Sequence, residues 1–333
     1  MKKNPTIYDV SRKAGVSAAT VSRVLNNPGK VNAETRKAVE TAIQELGYKP
    51  LLENRLRAAK DVPRICVCSP HFTSQSYVQR LRGIYKHLSA LEVETELQVY
   101  TINSQAQLDR FVETIPMRDL DGVIFLSLVV TDEQVRKIKE AGVECVQVEH
   151  CSAECTCISN DNLEGGRMAA RHLIDRGYDS FGILCEPYHW DYSVYTMEDR
   201  VKGFEAELKE NGFDIPEAFT FTNTLDHEPV RKQFNEIFRE GVYPRAFFAA
   251  ADIMAFGLLQ AARDCDLNVP DDIAVIGFDD LDFADAFGLT TISQHLDESG
   301  EIAARILMGK LRDHNRADQQ IRLALSLVER EST

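Results

Sequence analysis

No segment of this sequence is long and apolar enough to span a bilayer. The longest nearly apolar run, 122–130, falls well short of the roughly 18 residues that a membrane helix needs. The amino terminus, MKKNPTIYDV, has two lysines but no apolar stretch behind them. That excludes a secretory signal and makes the cytoplasm the expected compartment, with no membrane partner. There is no P-loop, no Gly-rich dinucleotide fingerprint, no HExxH and no nucleophile elbow, so the chain is not expected to be an enzyme. Gly165-Gly166 opens a helix rather than a phosphate loop. The eight cysteines (66, 68, 145, 151, 155, 157, 185 and 265) form no paired CxxC knuckle. Cys151, Cys155 and Cys157 follow His150, and thiolates beside an imidazole are what zinc selects. The expected state is nevertheless reduced thiols acting as small apolar residues, without metal or cofactor, a metal or redox role being the alternative.

What is present suits a globular protein of two or three units: 333 residues, 44% hydrophobic and 27% charged. The net charge of −14 argues against nucleic acid until it is divided. Residues 1–60 carry +7 and the remainder −21. A basic segment joined to an acidic body is expected where one end meets phosphate and the other is kept off it. An ordinary basic tail gives the same asymmetry.

The basic segment reads as short helices. Ile7, Val10 and Ala14 share one face of a first helix, capped by Thr6 and ended by Gly15. Ser17 caps a second helix, 18–26, with Val21, Val24 and Leu25 inward. Asn27-Pro28-Gly29 is a turn, Asn32 caps a third helix through 46 with Val39, Ile43 and Leu46 inward, and Gly47 stops it. Beyond Pro50 strands and helices alternate. Strands are expected at 64–69, 93–101, 122–128, 145–148, 180–185, 246–249 and 274–277. Helices are expected at 77–91, 106–115, 131–141, 162–176, 197–211, 253–265 and 299–311. Such alternation means parallel sheets, and about nine units are too many for one small sheet. Two α/β subdomains follow, with a ligand cleft beyond the carboxyl ends of their strands.

A helix, a turn near Gly15 and a second short helix are the parts of a helix-turn-helix, whose second helix enters the major groove. The hydroxyls of Ser17, Thr20 and Ser22 reach phosphates or bases, and Arg23 offers guanine a bidentate contact. A three-helix cap with a solvated arginine would show the same periodicity. The segment TIYDVSRKAGVSAATVSRVLNNPGKVNAETRKAVETAIQELGYKP resembles, without gaps, the headpiece of the lac repressor/galactose repressor family. PHFTSQSYVQRLRGI, SNDNLEGGRMAARHLIDRGY, FFAAADIMAFGLLQAA, DDIAVIGFDDLDFADAFGLTTI and LVEREST carry the resemblance through essentially the whole chain.

The resemblance implies an all-α helix-turn-helix headpiece (1–48), a hinge helix or linker (49–61) and a periplasmic-binding-protein-like α/β sensor of two parallel-sheet subdomains. Their implied bounds are 62–160 with 292–320, and 161–291 with 321–333. It places Ala18, Ala19 and Arg23 at base-reading positions, and Thr6, Tyr8, Ser17, Thr20, Ser22 and Asn26 at phosphate-gripping ones. Two alanines offer bases only methyl contacts, which leaves the polar readout to Arg23. In the family, paired hinge helices push a leucine into the minor groove. Here Arg55 fits the pattern, but the wedge position is Arg57, and the leucine stands one residue earlier, at Leu56. One residue turns a side chain about 100° around a helix, so Leu56 does not substitute without a change of register. Asn54 replaces a small residue, and Arg57 suits a narrow A·T-rich groove by charge. A hinge that merely connects is the plainer reading.

For the sensor, the resemblance places Arg200 and Asp279 on the effector, a donor fork and an acceptor suited to a polyhydroxylated ligand. Phe72, Ser74, Glu149 and Asp252 are further candidates, Asp252 alternatively only an N-cap. Trp190 stands in a long aromatic loop and is either a ligand wall or a loop anchor. Ala251 removes an amide that many relatives place there. The implied protein is a homodimeric regulator of a palindromic double-stranded operator, a tetramer being the alternative, and it is controlled by a small-molecule effector. A sugar or sugar derivative is the leading effector class, with a nucleobase or nucleoside second. An exported sugar-binding protein shares the sensor fold but not the headpiece.

Overall fold

The computed structural model describes residues 7–18, 20, 21, 24, 31–46, 62–91, 94–186, 191–194 and 196–333. Thr6, Ala19, Ser22, Arg23, Asn26, the hinge residues Arg55, Leu56 and Arg57, and Trp190 lie outside them, as do the turn at 27–29 and most of the predicted helix 18–26. The chain folds as two compact units, Met1–Pro63 and Arg64–Thr333. Among the described residues no helix is long and apolar enough to cross a membrane.

In the first unit α1 (Ile7–Ala14) and α2 (Ala33–Leu46) pack about Val10, Val21, Val24, Val39 and Ala42. Gly15 ends α1 at φ +66°, which a residue without Cβ adopts at little cost. The Ser17 hydroxyl accepts from the amide of Thr20 at 3.1 Å, and Asn32 Oδ1 accepts from Thr35 at 2.7 Å. Both predicted caps therefore close helix N-termini. Tyr8 lies on α1 and Ala18 one residue beyond the Ser17 cap.

The second unit holds two six-stranded sheets. In chain order its elements are β1 (Arg64–Ser69), α3 (Gln75–Ser89), β2 (Glu96–Thr101), α4 (Gln105–Thr114), β3 (Gly122–Leu126), α5 (Asp132–Glu140), β4 (Glu144–Val148), β5 (Thr156–Asn160) and α6 (Asn162–Asp175). There follow β6 (Phe181–Cys185), α7 (Met197–Glu210), β7 (Thr220–Thr222), α8 (His227–Glu240), β8 (Ala246–Ala249), α9 (Asp252–Asp264) and β9 (Ala274–Asp279). The chain closes with α10 (Phe283–Ala286), β10 (Thr290–Ser293), α11 (Leu296–Arg312), β11 (Gln320–Leu323) and β12 (Ser326–Val328). The strand orders are β11-β5-β4-β3-β1-β2 and β12-β10-β9-β8-β6-β7. Every pairing is parallel except β10 with β12. Central strands are buried on both faces, which is why β3 (GVIFL) and β6 (FGILC) read as continuous apolar runs.

The chain passes between the sheets three times. The expected bounds at 291/292 and 320/321 fall inside strands: β10 stays with the second sheet to Ser293, and β11 with the first to Leu323. Asn160, at the end of the first passage, ties the other two. Its Nδ2 donates to the carbonyl of Gln294 at 3.5 Å and to that of Leu323 at 3.1 Å.

Two helix pairs cross at contact distance. A Cβ at Gly83 of α3 would meet the Asp297 carbonyl of α11 at 1.9 Å, and one at Gly300 of α11 would meet the Arg80 carbonyl at 2.0 Å. In the second subdomain a Cβ at Gly166 of α6 would meet the Arg200 carbonyl of α7, and one at Gly203 of α7 the Leu163 carbonyl of α6, each at 1.9 Å. Only glycine admits backbones this near.

The reduced-thiol expectation needs one correction. The β4–β5 connection brings Cys151 and Cys157 to a Cα separation of 5.3 Å, within bridging range, and they form a disulfide. Cys66, Cys68, Cys145, Cys155 and Cys185 are free and buried, and Cys265 is free and half-buried. No group of three or more His, Cys, Asp or Glu among the described residues could hold a metal ion.

Candidate functional site

Between the two sheets lies a cleft of about 610 Å³. This falls within the volume range usual for small-molecule sites. One wall comes from the first subdomain, through the loop and first turn of α3, Arg80, Ser127 and Glu149. The opposite wall comes from the second, through Glu186, Thr196, Arg200, Asp226, Ala251 and Asp279.

Each wall centres on a buried arginine paired with a carboxylate. Arg80 Nη2 lies 2.6 Å from Glu149 Oε1, and both side chains are nearly inaccessible. Arg80 Nε also donates to the Ser299 hydroxyl at 3.3 Å, and Ser127 donates its hydroxyl to Glu149. Opposite, Arg200 Nη1 donates to Asp279 Oδ1 at 3.3 Å and to the Ala250 carbonyl at 2.7 Å, and Nε donates to Asn162 Oδ1 at 2.9 Å. The guanidinium lies 3.9 Å from the Phe278 ring centroid, a cation–π contact in a desolvated place. Gln294 joins the two pairs. Its Oε1 accepts from Arg80 Nη2 at 3.4 Å, and its Nε2 donates to Asp279 Oδ1 at 2.5 Å. Glu149 at φ +75° and Asp279 at φ +127° hold strained backbone, which puts their carboxylates at the strand ends facing the cleft.

Burial governs the titration of these groups. It pushes the Glu149 carboxyl up, but the Arg80 charge, hydrogen bonds from Ser127 and Arg80, and the Arg200 charge hold it below its ordinary value. Burial raises Asp279, with Arg200, Gln294 and Arg80 opposing, and it lowers Arg200. Burial raises Glu186 at the mouth, against one hydrogen bond from the Leu225 amide. Desolvation lowers His71, favouring the neutral ring.

Arg200, Asp279, Ser74 and Glu149 all line the cleft as the sequence led one to expect. Phe72 does not; it is half-buried outside the lining. Asp252 does not line it either, and it is not the N-cap, which is Ala251. As the first residue of α9 it is fully buried, accepting from the Thr291 hydroxyl at 2.6 Å and the Leu281 amide at 2.8 Å. Arg80, Ser127 and Gln294 were not foreseen. The one signal for Arg80 is internal: Arg80-Leu81-Arg82-Gly83 repeats as Arg200-Val201-Lys202-Gly203.

Burial, then the neighbouring Asp279 charge, pushes Asp252 up to about 7, against hydrogen bonds from Thr291 and Leu281. Its folded value lies above the ordinary 3.8, so between about pH 4 and 7 the folded chain holds a proton the unfolded chain has released. Stability is therefore expected to fall by a few kcal/mol as pH rises through that window. Asp252→Asn keeps an acceptor for the Leu281 amide and turns an NH2 donor toward the Thr291 hydroxyl oxygen, and should flatten this dependence in Tm measured against pH. An unchanged slope in the variant would assign the dependence to other groups.

Residues 6–51 match the family described as bacterial regulatory proteins, lacI family, and residues 170–333 a periplasmic binding protein-like domain. The ribose operon repressor of Escherichia coli (strain K12) is 30% identical over 334 residues, 98% of this chain and 99% of that protein. The HTH-type transcriptional repressor PurR of Escherichia coli O139:H28 (strain E24377A / ETEC) is 29% identical over 336 residues, 98% of this chain and 96% of that protein. A solved transcriptional regulator CelR–cellobiose complex superposes with TM-score 0.66 at 25% identity, covering 99% of this chain and 100% of that one.

Proposed function

The chain belongs to the lacI family of bacterial regulatory proteins, and on that premise we propose that it represses transcription from a palindromic operator under control of a small polyhydroxylated effector. The observation that carries this reading is the cleft, whose walls each present a buried arginine fork and its carboxylate. Donor fork and acceptor together suit vicinal hydroxyls, and the leading effector class is a sugar. A nucleobase or nucleoside is the second reading.

Two chains pair and present two headpieces to the half-sites. Ala18, Ala19 and Arg23 read bases, Thr6, Tyr8, Ser17, Thr20, Ser22 and Asn26 hold phosphates, and Arg55, Leu56 and Arg57 enter the minor groove or flank it. Effector binding shifts the two sensor subdomains between arrangements of unequal operator affinity. The relatives are transcriptional regulators, and the chain is read as a regulator rather than an enzyme.

The deciding experiment is a thermal-shift screen of sugars and nucleosides, followed by operator binding with and without each hit. A hit that leaves operator affinity unchanged refutes the regulatory reading. Saturable turnover of a hit would revive an enzyme. The +7 carried by residues 1–60 makes operator affinity steeply salt-dependent, so log K should fall linearly with log salt concentration. A flat line would move the DNA contact elsewhere. Arg23→Ala should relax specificity at one base position at a cost of about 1–3 kcal/mol, read by operator selection. An unchanged selected sequence removes Arg23 from base readout.

A further inference from the structure

The two walls of the cleft are copies of one plan. In each sheet the strand fifth in order (β1, β6) feeds the helix carrying the arginine, and the strand third in order (β4, β9) ends at the carboxylate. Arg80 and Arg200 each stand three residues before a glycine that packs on a neighbouring helix, and each arginine's own carbonyl touches that helix's glycine. Glu149 and Asp279 both take positive φ. Gln294 lies between the pairs, bonded to a member of each.

The charges within each pair cancel, and no lysine occurs among the described lining residues. Burial keeps His71 toward its neutral form. Glu186 and Asp226 remain at the mouth, so the lining is negative overall. A ligand entering it must donate to carboxylates and accept from guanidinium forks at both ends. The hydroxyl group does both, whereas a phosphate or carboxylate only accepts and would face like charge.

We propose that Arg80–Glu149 and Arg200–Asp279 are equivalent subsites taking the two ends of one uncharged polyhydroxylated effector, and that its phosphorylated or carboxylated forms are refused. This rests on the effector reading above and adds Arg80 as a direct ligand contact.

The test uses the full-length protein with ribose, galactose, glucose and cellobiose, and with the phosphate esters and singly deoxygenated forms of whichever binds. Calorimetry should show the phosphate ester weaker by at least about tenfold at low salt. In the wild type, removing a hydroxyl at either end of the sugar should weaken binding. Arg80→Gln and Arg200→Gln should each abolish sensitivity to deoxygenation at one end only, and at opposite ends. The wild-type deoxygenation series needs no variant to fold. Deoxygenation sensitivity confined to one end, or an Arg80→Gln chain binding within about twofold of wild type, overturns the paired subsites. Equal or tighter binding of the phosphate ester overturns the charge selection while leaving sugar control intact. Binding of nucleosides alone, or of none of these sugars, overturns the reading on which both rest.

Discussion

Arg200→Ala is expected to abolish the effector response while the headpiece still binds operator. Arg200 makes four contacts from a fully buried position: Asn162, the Ala250 carbonyl, Asp279 and the face of Phe278. Its removal leaves Asp279 buried beside only Gln294 and the more distant Arg80 charge. Truncating one member of a buried pair costs about 3–5 kcal/mol, because the remaining charge is uncompensated. For an effector that uses this fork, the loss of a charge-assisted contact should lower affinity on the order of a hundredfold. Two readouts separate the effects: Tm reports the stability loss, and operator release by the effector, followed by fluorescence anisotropy, reports coupling. Arg200→Lys keeps the charge but not the planar fork, and should recover stability better than response. Full effector release in Arg200→Ala would take this residue out of the ligand site.

The second large effect lies behind that arginine. Gly166→Ala would place a Cβ 1.9 Å from the Arg200 carbonyl and 2.7 Å from the Phe204 amide. Both are backbone atoms of α7 and cannot rotate aside, so α6 and α7 must separate. Overpacking of this kind costs about 1–3 kcal/mol or more, and should lower Tm by roughly 5–10 °C. It should also displace the Arg200 side chain and weaken effector binding. Gly300→Ala does the same at the Arg80 carbonyl in the other subdomain and should match it in size. Scanning calorimetry with effector titration checks both. An unchanged Tm in either variant means that the helix pair opens without cost.

Much of this was legible in the sequence, for definite physical reasons. Central strands such as β8 (AFFA) are apolar on both faces; β1 and β8 were bounded correctly, and β3, β4, β6 and β9 to within two residues. The inner strands β5 (TCISN) and β10 (TTIS), polar in composition, and several edge elements were not read. β7 (TFT) is three residues long, and β11 (QIRL) alternates exposed with half-buried positions, so neither shows an apolar run. α8 (HEPVRKQFNEIFRE) was missed, its Pro229 in the first turn and its charged face obscuring Val230, Phe234 and Phe238, which point inward. At the site, family resemblance located Arg200, Asp279, Ser74 and Glu149. It misplaced Asp252, because an acidic residue at a helix start looks the same whether it faces a ligand or a buried threonine. Gln294 and Ser127 carry no local signal, since their roles depend on partners far away in sequence. The Cys151–Cys157 bridge depends on how β5 pairs with β4, which spacing does not reveal.

Asn160 has a mechanical consequence. One carboxamide donates to backbone carbonyls on both other passages, so the three strings joining the lobes are knotted together at a single point. Strings so tied cannot slide past one another independently. The tie gives the three strings a common pivot near Asn160, so the expected relative motion of the lobes is rotation about that point rather than sliding. The lobes themselves stay rigid because their helix pairs touch backbone to backbone. Whatever enters the cleft is therefore expected to act on the swing of one lobe about that pivot, with little of its work dispersed into distortion within the lobes.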